Sequence, residues 1–183
     1  MDPWFVVTQL GLPEAWAALS LGMVITYLIL RNTTWSRPSP HRKAFKAVTV
    51  FLALTLILAF VSVRAIKETT QVPRPCIPCS ACTCPDGSGE GCLCPEGCNI
   101  YCIDDDFSFP SGHAATIFAV CSAAVILLRR REAFLFYLPA ALVAYSRIAL
   151  GVHTPTDIAA GSIIGLVSAV VIWRIKTKLV IHG

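Results

Sequence analysis

The sequence predicts an all-α protein, a polytopic transmembrane helical bundle of about five spans with a Cys-rich extracytoplasmic loop module. The first observation behind this prediction is composition: 55% of the 183 residues are hydrophobic, 14% are charged, and the mean hydropathy is +0.66. The second observation is the spacing of five apolar runs, at about residues 15–30, 47–63, 114–128, 133–145 and 158–173. An ordinary soluble domain is less apolar, so we treat residues 1–183 as one membrane domain in which residues 76–106 form a Cys-rich insert.

The apolar runs differ in length, and several are shorter than the roughly 20 residues that a helix needs to cross hydrocarbon. The third, fourth and fifth runs can gain the missing turns from the polar residues beside them, provided that these face the bundle interior. The first run is not expected to be a cleaved signal peptide, because residues 1–14 contain no lysine or arginine. Residues 1–13, with Trp4 and Phe5, are predicted to be an interfacial lead-in without a chemical role.

The basic residues predict the sidedness of the bundle. Most of the 15 lysines and arginines lie between runs one and two, between runs three and four, and after run five. The positive-inside rule assigns these segments to the cytoplasm, which places the N-terminus outside and the C-terminus inside a multi-pass plasma-membrane protein. Four cations remain on the outer side, where topology does not explain them: Arg64, Lys67, Arg74 and Arg147.

The first polar motif follows the second apolar run. Lys67 and Arg74 are seven residues apart, and Arg74 stands between two prolines. The two side chains can therefore converge on one anion. The alternative is that both are interfacial residues whose charged ends reach the headgroups.

Eight of the nine cysteines lie in the loop between the second and third runs. This segment has too few apolar residues to build a core, so covalent or metal cross-links are expected to hold it. Outside the cytoplasm, disulfides of unknown pairing are the leading interpretation, and zinc or iron–sulfur ligation is the alternative. The cysteines concerned are Cys76, Cys79, Cys82, Cys84, Cys92, Cys94, Cys98 and Cys102. The ninth, Cys121, is predicted to be a small buried side chain in the third helix.

The second motif, at residues 110–113, leads directly into the third apolar run. Ser111 is a natural N-cap, and Gly112 lets an anion approach the free N–H groups of the helix start. His113 would lie in the first turn, where it can give a proton to a leaving group. The alternative is an ordinary capped helix with a chance histidine. The three aspartates at residues 104–106 are interpreted as a solvated loop and not as a metal site, because they would repel an anionic substrate.

The third motif separates the fourth and fifth runs and contains Arg147, His153 and Asp157. Ionisable groups within a membrane protein indicate a functional site. Asp157 lies four residues after His153, so it can hold one ring nitrogen while the other faces a substrate, as in a histidine nucleophile. Arg147 offers a planar donor fork suited to phosphate. The alternative is a loop histidine beside a helix-capping aspartate.

Glycines 161 and 165 follow the third motif at a four-residue spacing. This pair permits close contact between helices, but it is a weak indication of a dimer.

The three motifs Lys67-x6-Arg74-Pro75, Pro110-Ser111-Gly112-His113 and Ser146-Arg147-x5-His153-x3-Asp157 together resemble the signature of the type 2 phosphatidic acid phosphatase (PAP2) superfamily, across about residues 67–165. The resemblance implies that Lys67, Arg74 and Arg147 clamp a phosphate, and that Ser111 and Gly112 complete the cradle. It also implies that His153 attacks phosphorus to form a phosphohistidine and that Asp157 orients it. His113 would protonate the leaving oxygen and later activate water, and the family uses no metal or other cofactor.

The chain departs from this family in two features. Membrane members commonly have six spans with both ends in the cytoplasm, whereas five are predicted here. The Cys-rich module between the first two motifs is also unusual, and it is expected to lie above the site as a brace or lid.

The resemblance implies an enzyme, a lipid phosphate or diphosphate phosphatase that acts at the outer face. The expected partners are the lipid substrate and the membrane lipids, without nucleic acid. A polyprenyl diphosphate is favoured over phosphatidate and phosphatidylglycerophosphate, because small outward-facing members often recycle that carrier. One alternative is a phosphotransferase that uses the same site with an alcohol in place of water. The other is a non-catalytic metal or redox sensor that works through the Cys-rich module.

Overall fold

The computed structural model describes residues 3–32, 40–78, 98–99 and 107–181, and these residues are mostly helical. Six α-helices are present in this part of the chain, together with short 3₁₀ helices at Gln9–Gly11 and Arg131–Phe136. The α-helices are α1 (Pro3–Thr8), α2 (Pro13–Asn32), α3 (Pro40–Thr70), α4 (Gly112–Leu128), α5 (Tyr137–Ala149) and α6 (Pro155–Ile181). Proline opens several of them, where its missing N–H removes no helical hydrogen bond.

Each of the five apolar runs lies in a helical segment, from α2 to α6. Three segments are long and apolar enough to cross a membrane: Ala44–Thr70, Arg131–Ala149 and Pro155–Ile175. The apolar helix α4 has 17 residues and is shorter than a full span. The structure thus supports a membrane-spanning helical protein, and the number of five spans stays a prediction.

The tightest packing in the bundle joins α4 to α6. A Cβ atom at Gly161 would overlap the backbone oxygen of Ser111, and one at Gly165 would overlap the backbone oxygen of Ala115. Only glycine lets the two backbones come this close. The glycine pair is therefore used for a contact within the chain.

The N-terminal segment packs against α5. The rings of Trp4 and Tyr145 meet edge to face, with centroids 5.3 Å apart. Ile117, Cys121 and Val143 belong to the buried core cluster between α4 and α5. Cys121 is a free, buried thiol, as predicted.

The structure describes the Cys-rich insert at residues 76–78 and 98–99. Strands β1 (Ile77–Pro78) and β2 (Cys98–Asn99) form a two-residue parallel pair, with Ile77 opposite Cys98. Cys76 is disulfide-bonded. The side chains of the other seven insert cysteines and the aspartates at 104–106 lie outside the described residues, so the pairing of the module stays a prediction.

The second described part of the insert contacts the loop of the third motif. The side-chain amide of Asn99 donates a hydrogen bond of 2.6 Å to the carbonyl oxygen of Leu150. Leu150 follows α5, and Gly151 turns the chain with a φ of +69°, a value that favours glycine. The insert is thus attached to the segment that carries His153.

Candidate active site

The three motifs meet at one cavity of about 210 Å³ at the end of the bundle. Residues from all three contribute to its wall: Lys67, Arg74, Gly112, His113, Arg147 and His153. Two other predicted site residues, Ser111 and Asp157, are fully buried, with exposed fractions of 0% and 2%. The structure therefore brings the predicted site residues together although their motifs lie far apart in the chain.

The histidine of the third motif is held on one side of its ring. His153 lies in the turn before α6, and its Nδ1 atom is 3.4 Å from Oδ2 of Asp157 in the first turn of that helix. The same carboxylate oxygen accepts a 2.8 Å hydrogen bond from the backbone N–H of Thr154. Because Nδ1 faces the carboxylate, Nε2 is the ring nitrogen available to the cavity.

A serine outside the three motifs completes this arrangement. The hydroxyl of Ser108 donates a hydrogen bond to Oδ2 of Asp157 and lies 3.4 Å from Nδ1 of His153. Ser108 is 1% exposed, so water does not compete for these contacts. Asp157 is thereby fixed by two donors, the hydroxyl of Ser108 and the backbone N–H of Thr154, while it faces the imidazole.

The electrostatic environment keeps His153 neutral. Burial lowers the pKa of His153 from its ordinary value of 6.5, and nearby Arg74 and Arg147 act in the same direction. The hydrogen bond and charge of Asp157 oppose this shift. A neutral imidazole is the form that can act as a nucleophile.

Two of the three predicted phosphate-binding cations are buried. Lys67 is 4% exposed, and its ammonium group donates a hydrogen bond to the carbonyl oxygen of Phe107. Arg147 is 6% exposed, and Arg74 is half-buried. Buried cations are costly in a membrane protein, so three around one cavity indicate an anion-binding site.

The second motif forms the start of α4, as predicted. The side-chain oxygen of Ser111 accepts a 3.5 Å hydrogen bond from the backbone N–H of Ala114 and caps the helix. The backbone N–H of Ser111 donates a 3.0 Å bond to the carbonyl oxygen of Asp157. This bond ties the beginning of α4, which carries His113, to the beginning of α6.

The N-terminal segment, predicted to be an interfacial lead-in without a chemical role, contacts a residue of the site. The guanidinium Nη1 of Arg147 donates a 3.0 Å hydrogen bond to the hydroxyl of Thr8, which is 2% exposed. Neither Thr8 nor Ser108 belongs to a motif. A single threonine or serine among apolar residues gives no signal in the sequence, because only the fold brings it to its partner.

Two further charged residues line the same cavity, Arg64 from α3 and Glu14 from α2. Arg64 is the fourth cation that topology does not explain, and it belongs to no motif.

A larger apolar groove adjoins the cavity. It has a volume of about 560 Å³ and lies between α2 and α3, with Ala17, Leu21, Val24, Ala53, Leu56 and Ile57 among its lining residues. Pro13, Glu14, Phe60 and Thr116 line both spaces. The polar cavity and the apolar groove are therefore neighbours with a common wall.

Comparison with known proteins identifies a family and several relatives. The model of the PAP2 superfamily matches residues 46–181. The chain is 36% identical over 74 residues to the bacitracin transport permease protein BcrC of Bacillus licheniformis, and 39% identical over 72 residues to the putative undecaprenyl-diphosphatase YbjG of Escherichia coli. These matches cover 40% and 38% of this chain and 36% of each relative, so they span about a third of the relatives' length.

A solved structure with the same fold is the transmembrane PAP2-type phosphatidylglycerolphosphate phosphatase from Bacillus subtilis. It superimposes with a TM-score of 0.63 over 97% of this chain and 79% of that one, at 20% identity. At this identity the likeness concerns the fold. The solved structure thus supports the helical fold, and the family follows from the match over residues 46–181.

Proposed function

The chain belongs to the PAP2 superfamily, and we propose that it is an integral membrane phosphatase that removes the terminal phosphate from a lipid phosphate or diphosphate, with a polyprenyl diphosphate as the favoured substrate. The observation that carries this proposal is the cavity in which the cations Lys67, Arg74 and Arg147 surround the side chains of His113 and His153. Fixed cations around a nucleophile suit phosphoryl transfer, where catalysis consists largely of positioning and charge stabilisation.

The proposed reaction begins at Nε2 of His153. This nitrogen attacks the terminal phosphorus, the bond to the leaving oxygen breaks, and His113, which enters the step as the imidazolium, gives that oxygen a proton. Burial and the neighbouring cations lower the pKa of His113 to about 3 in the free site, and the negative charge of a bound phosphate opposes this shift. Asp157 stabilises the positive charge that develops on His153. His113 then takes a proton from water, which attacks the phosphohistidine and releases inorganic phosphate, so that both histidines return to their starting states.

The cations have a separate part in this reaction. Lys67, Arg74 and Arg147 bind the oxygens of the transferred phosphoryl group and stabilise the charge on them in the transition state. The free N–H groups at the start of α4, behind Gly112, add further donors. The burial of Lys67 and Arg147 supports this assignment, because charges away from water interact more strongly with an anion.

The apolar groove supports a lipid substrate. It shares Phe60 and Thr116 with the cavity, so a lipid whose phosphate lies among the cations can extend its chain between α2 and α3. The similarity to a putative undecaprenyl-diphosphatase favours a polyprenyl chain. The distribution of basic residues supports a cavity at the outer face, with the N-terminus outside and the C-terminus in the cytoplasm.

Phosphate release by the purified protein tests this proposal. The substrates are a polyprenyl diphosphate, phosphatidate and phosphatidylglycerophosphate, each with EDTA present, and an added alcohol acceptor would reveal a phosphotransferase. We expect the diphosphate to be hydrolysed fastest. The absence of phosphate release from all three would contradict the function, and a faster reaction with phosphatidate would contradict the substrate preference.

His153→Ala provides the mechanistic test. We expect it to abolish turnover in a folded protein, because binding energy does not replace a nucleophile. An acid-labile, base-stable phosphoprotein should form in the unaltered protein and be absent in this variant. Substantial phosphate release by His153→Ala would rule out the phosphohistidine.

A further inference from the structure

Arg64 is the cation in the lining of the described cavity to which the reaction above gives no role. It lies on α3 three residues before Lys67, so the two side chains share a helix face. Phe60 precedes it by four residues on the same face and lines both the cavity and the apolar groove. Along this face, the order from the apolar groove to the phosphate-binding cations is therefore Phe60, Arg64 and Lys67.

This order matches the order of groups in a lipid diphosphate. The terminal phosphate would lie at Lys67, the chain would enter the groove beside Phe60, and the second phosphate would lie between them. The helix rises about 1.5 Å per residue, which puts Arg64 about 4.5 Å along α3 from Lys67. A guanidinium at this level can reach the second phosphate while Lys67 binds the first.

We propose that Arg64 binds the second phosphate of a lipid diphosphate, the one that remains on the product, and so makes the site prefer diphosphates to monophosphates. This inference rests on the proposed function, since it concerns the substrate of the same site. A lipid monophosphate has no group at this level, and it would gain little from Arg64.

A carboxylate also lines the cavity. Glu14, in the first turn of α2, lines the cavity and the groove. Its carboxylate repels a second phosphate unless a cation offsets it. Arg64 lines the same cavity and can supply that cation.

Arg64 would also act on the chemical step. When the bond between the two phosphates breaks, negative charge develops on the oxygen that stays with the lipid monophosphate. A cation beside that phosphate stabilises the leaving group. Arg64 should therefore strengthen the binding of lipid diphosphates and speed their hydrolysis. It should have neither effect on lipid monophosphates.

Binding to inactive protein separates this proposal from catalysis. In the His153→Ala background, the dissociation constants of farnesyl diphosphate and farnesyl monophosphate are measured with and without Arg64→Gln. We expect Arg64→Gln to weaken diphosphate binding about tenfold, as for the loss of one charge-assisted contact, and monophosphate binding less than about twofold. The matched control is Arg130→Gln, which removes an exposed arginine that follows α4 at its other end.

Two results would overturn the proposal. An equal loss of affinity for the diphosphate and the monophosphate would mean that Arg64 only adds positive potential to the cavity. Unchanged affinity for both ligands would mean that Arg64 is an interfacial anchor. If Arg64→Gln does not fold, Arg64→Lys is measured in its place. A loss of about threefold for the diphosphate alone is then expected, and unchanged binding of both ligands would again overturn the proposal.

Phosphate release from farnesyl diphosphate by the unaltered protein is measured beside these constants. If the protein binds the diphosphate but releases no phosphate, the proposed function fails, while the ratio of the two dissociation constants still decides the role of Arg64.

Discussion

At the scale of single residues, the site depends on side chains that hold other side chains. Asp157 and Ser108 together occupy the Nδ1 side of His153, and Thr8 holds the guanidinium of Arg147. The sequence predicts His153, Asp157 and Arg147, because their spacing is a local property of the chain. It does not predict Thr8, which is 139 residues away from its partner.

Thr8→Val tests whether this hydroxyl positions Arg147. Valine keeps the shape but removes the acceptor, which leaves a buried guanidinium N–H without that bond. We expect kcat/KM for phosphate release to fall about tenfold, and Thr8→Ser to restore most of it. The matched control is Thr69→Val, on an exposed residue at the end of α3. Unchanged kinetics in Thr8→Val would show that Arg147 is held by its other contacts.

The protonation of His153 gives a second prediction. Burial lowers its pKa below 6.5, so the neutral form predominates at pH 6.5 and above and is lost as the pH falls through the lowered pKa. Histidine ring resonances in NMR, assigned with His153→Ala, should titrate with a midpoint below 6.5. Asp157→Asn removes an interaction that raises this pKa, so the midpoint should move still lower. A midpoint above 6.5 would contradict the neutral nucleophile.

At the scale of elements, the Cys-rich insert is connected to the site at two points. Arg74 lies two residues before Cys76, which is disulfide-bonded, and Asn99 donates a hydrogen bond to Leu150 just before the His153 turn. The sequence predicts a brace here because the segment has little apolar surface. It does not predict Asn99, because an asparagine in a loop has many available partners.

Asn99→Ala tests the attachment of the insert. Removal of one hydrogen bond should lower kcat/KM by about two- to tenfold, and mild reduction of the unaltered protein should have a similar effect by loosening the insert. Reduction of Asn99→Ala should then lower kcat/KM little further. Cys121→Ala is the control, because it removes the free thiol of α4 and should leave the response to reductant intact. Full activity after reduction would show that the insert does not support the site.

At the scale of the whole molecule, the sequence predicts the helices well, but it does not predict the cavities between them. Hydropathy identifies all five apolar runs because burial in lipid imposes the same requirement on every residue of a span. The groove between α2 and α3 depends on how helices pack, which no local pattern encodes. For the same reason Arg64 can be recognised as an unexplained cation, but its place beside the groove comes only from the fold.

The glycine contact between α4 and α6 has a consequence for how a substrate arrives. The backbones of these helices touch at Gly161 and Gly165, and the bond from Ser111 to Asp157 joins their first turns. His113 and Asp157, which holds His153, therefore belong to one rigid unit formed by α4 and α6. This side of the site has little freedom to move. The groove between α2 and α3 is the flank that offers room. We expect a lipid to slide in sideways from the surrounding leaflet, head first toward the cations, without ever leaving the bilayer for water.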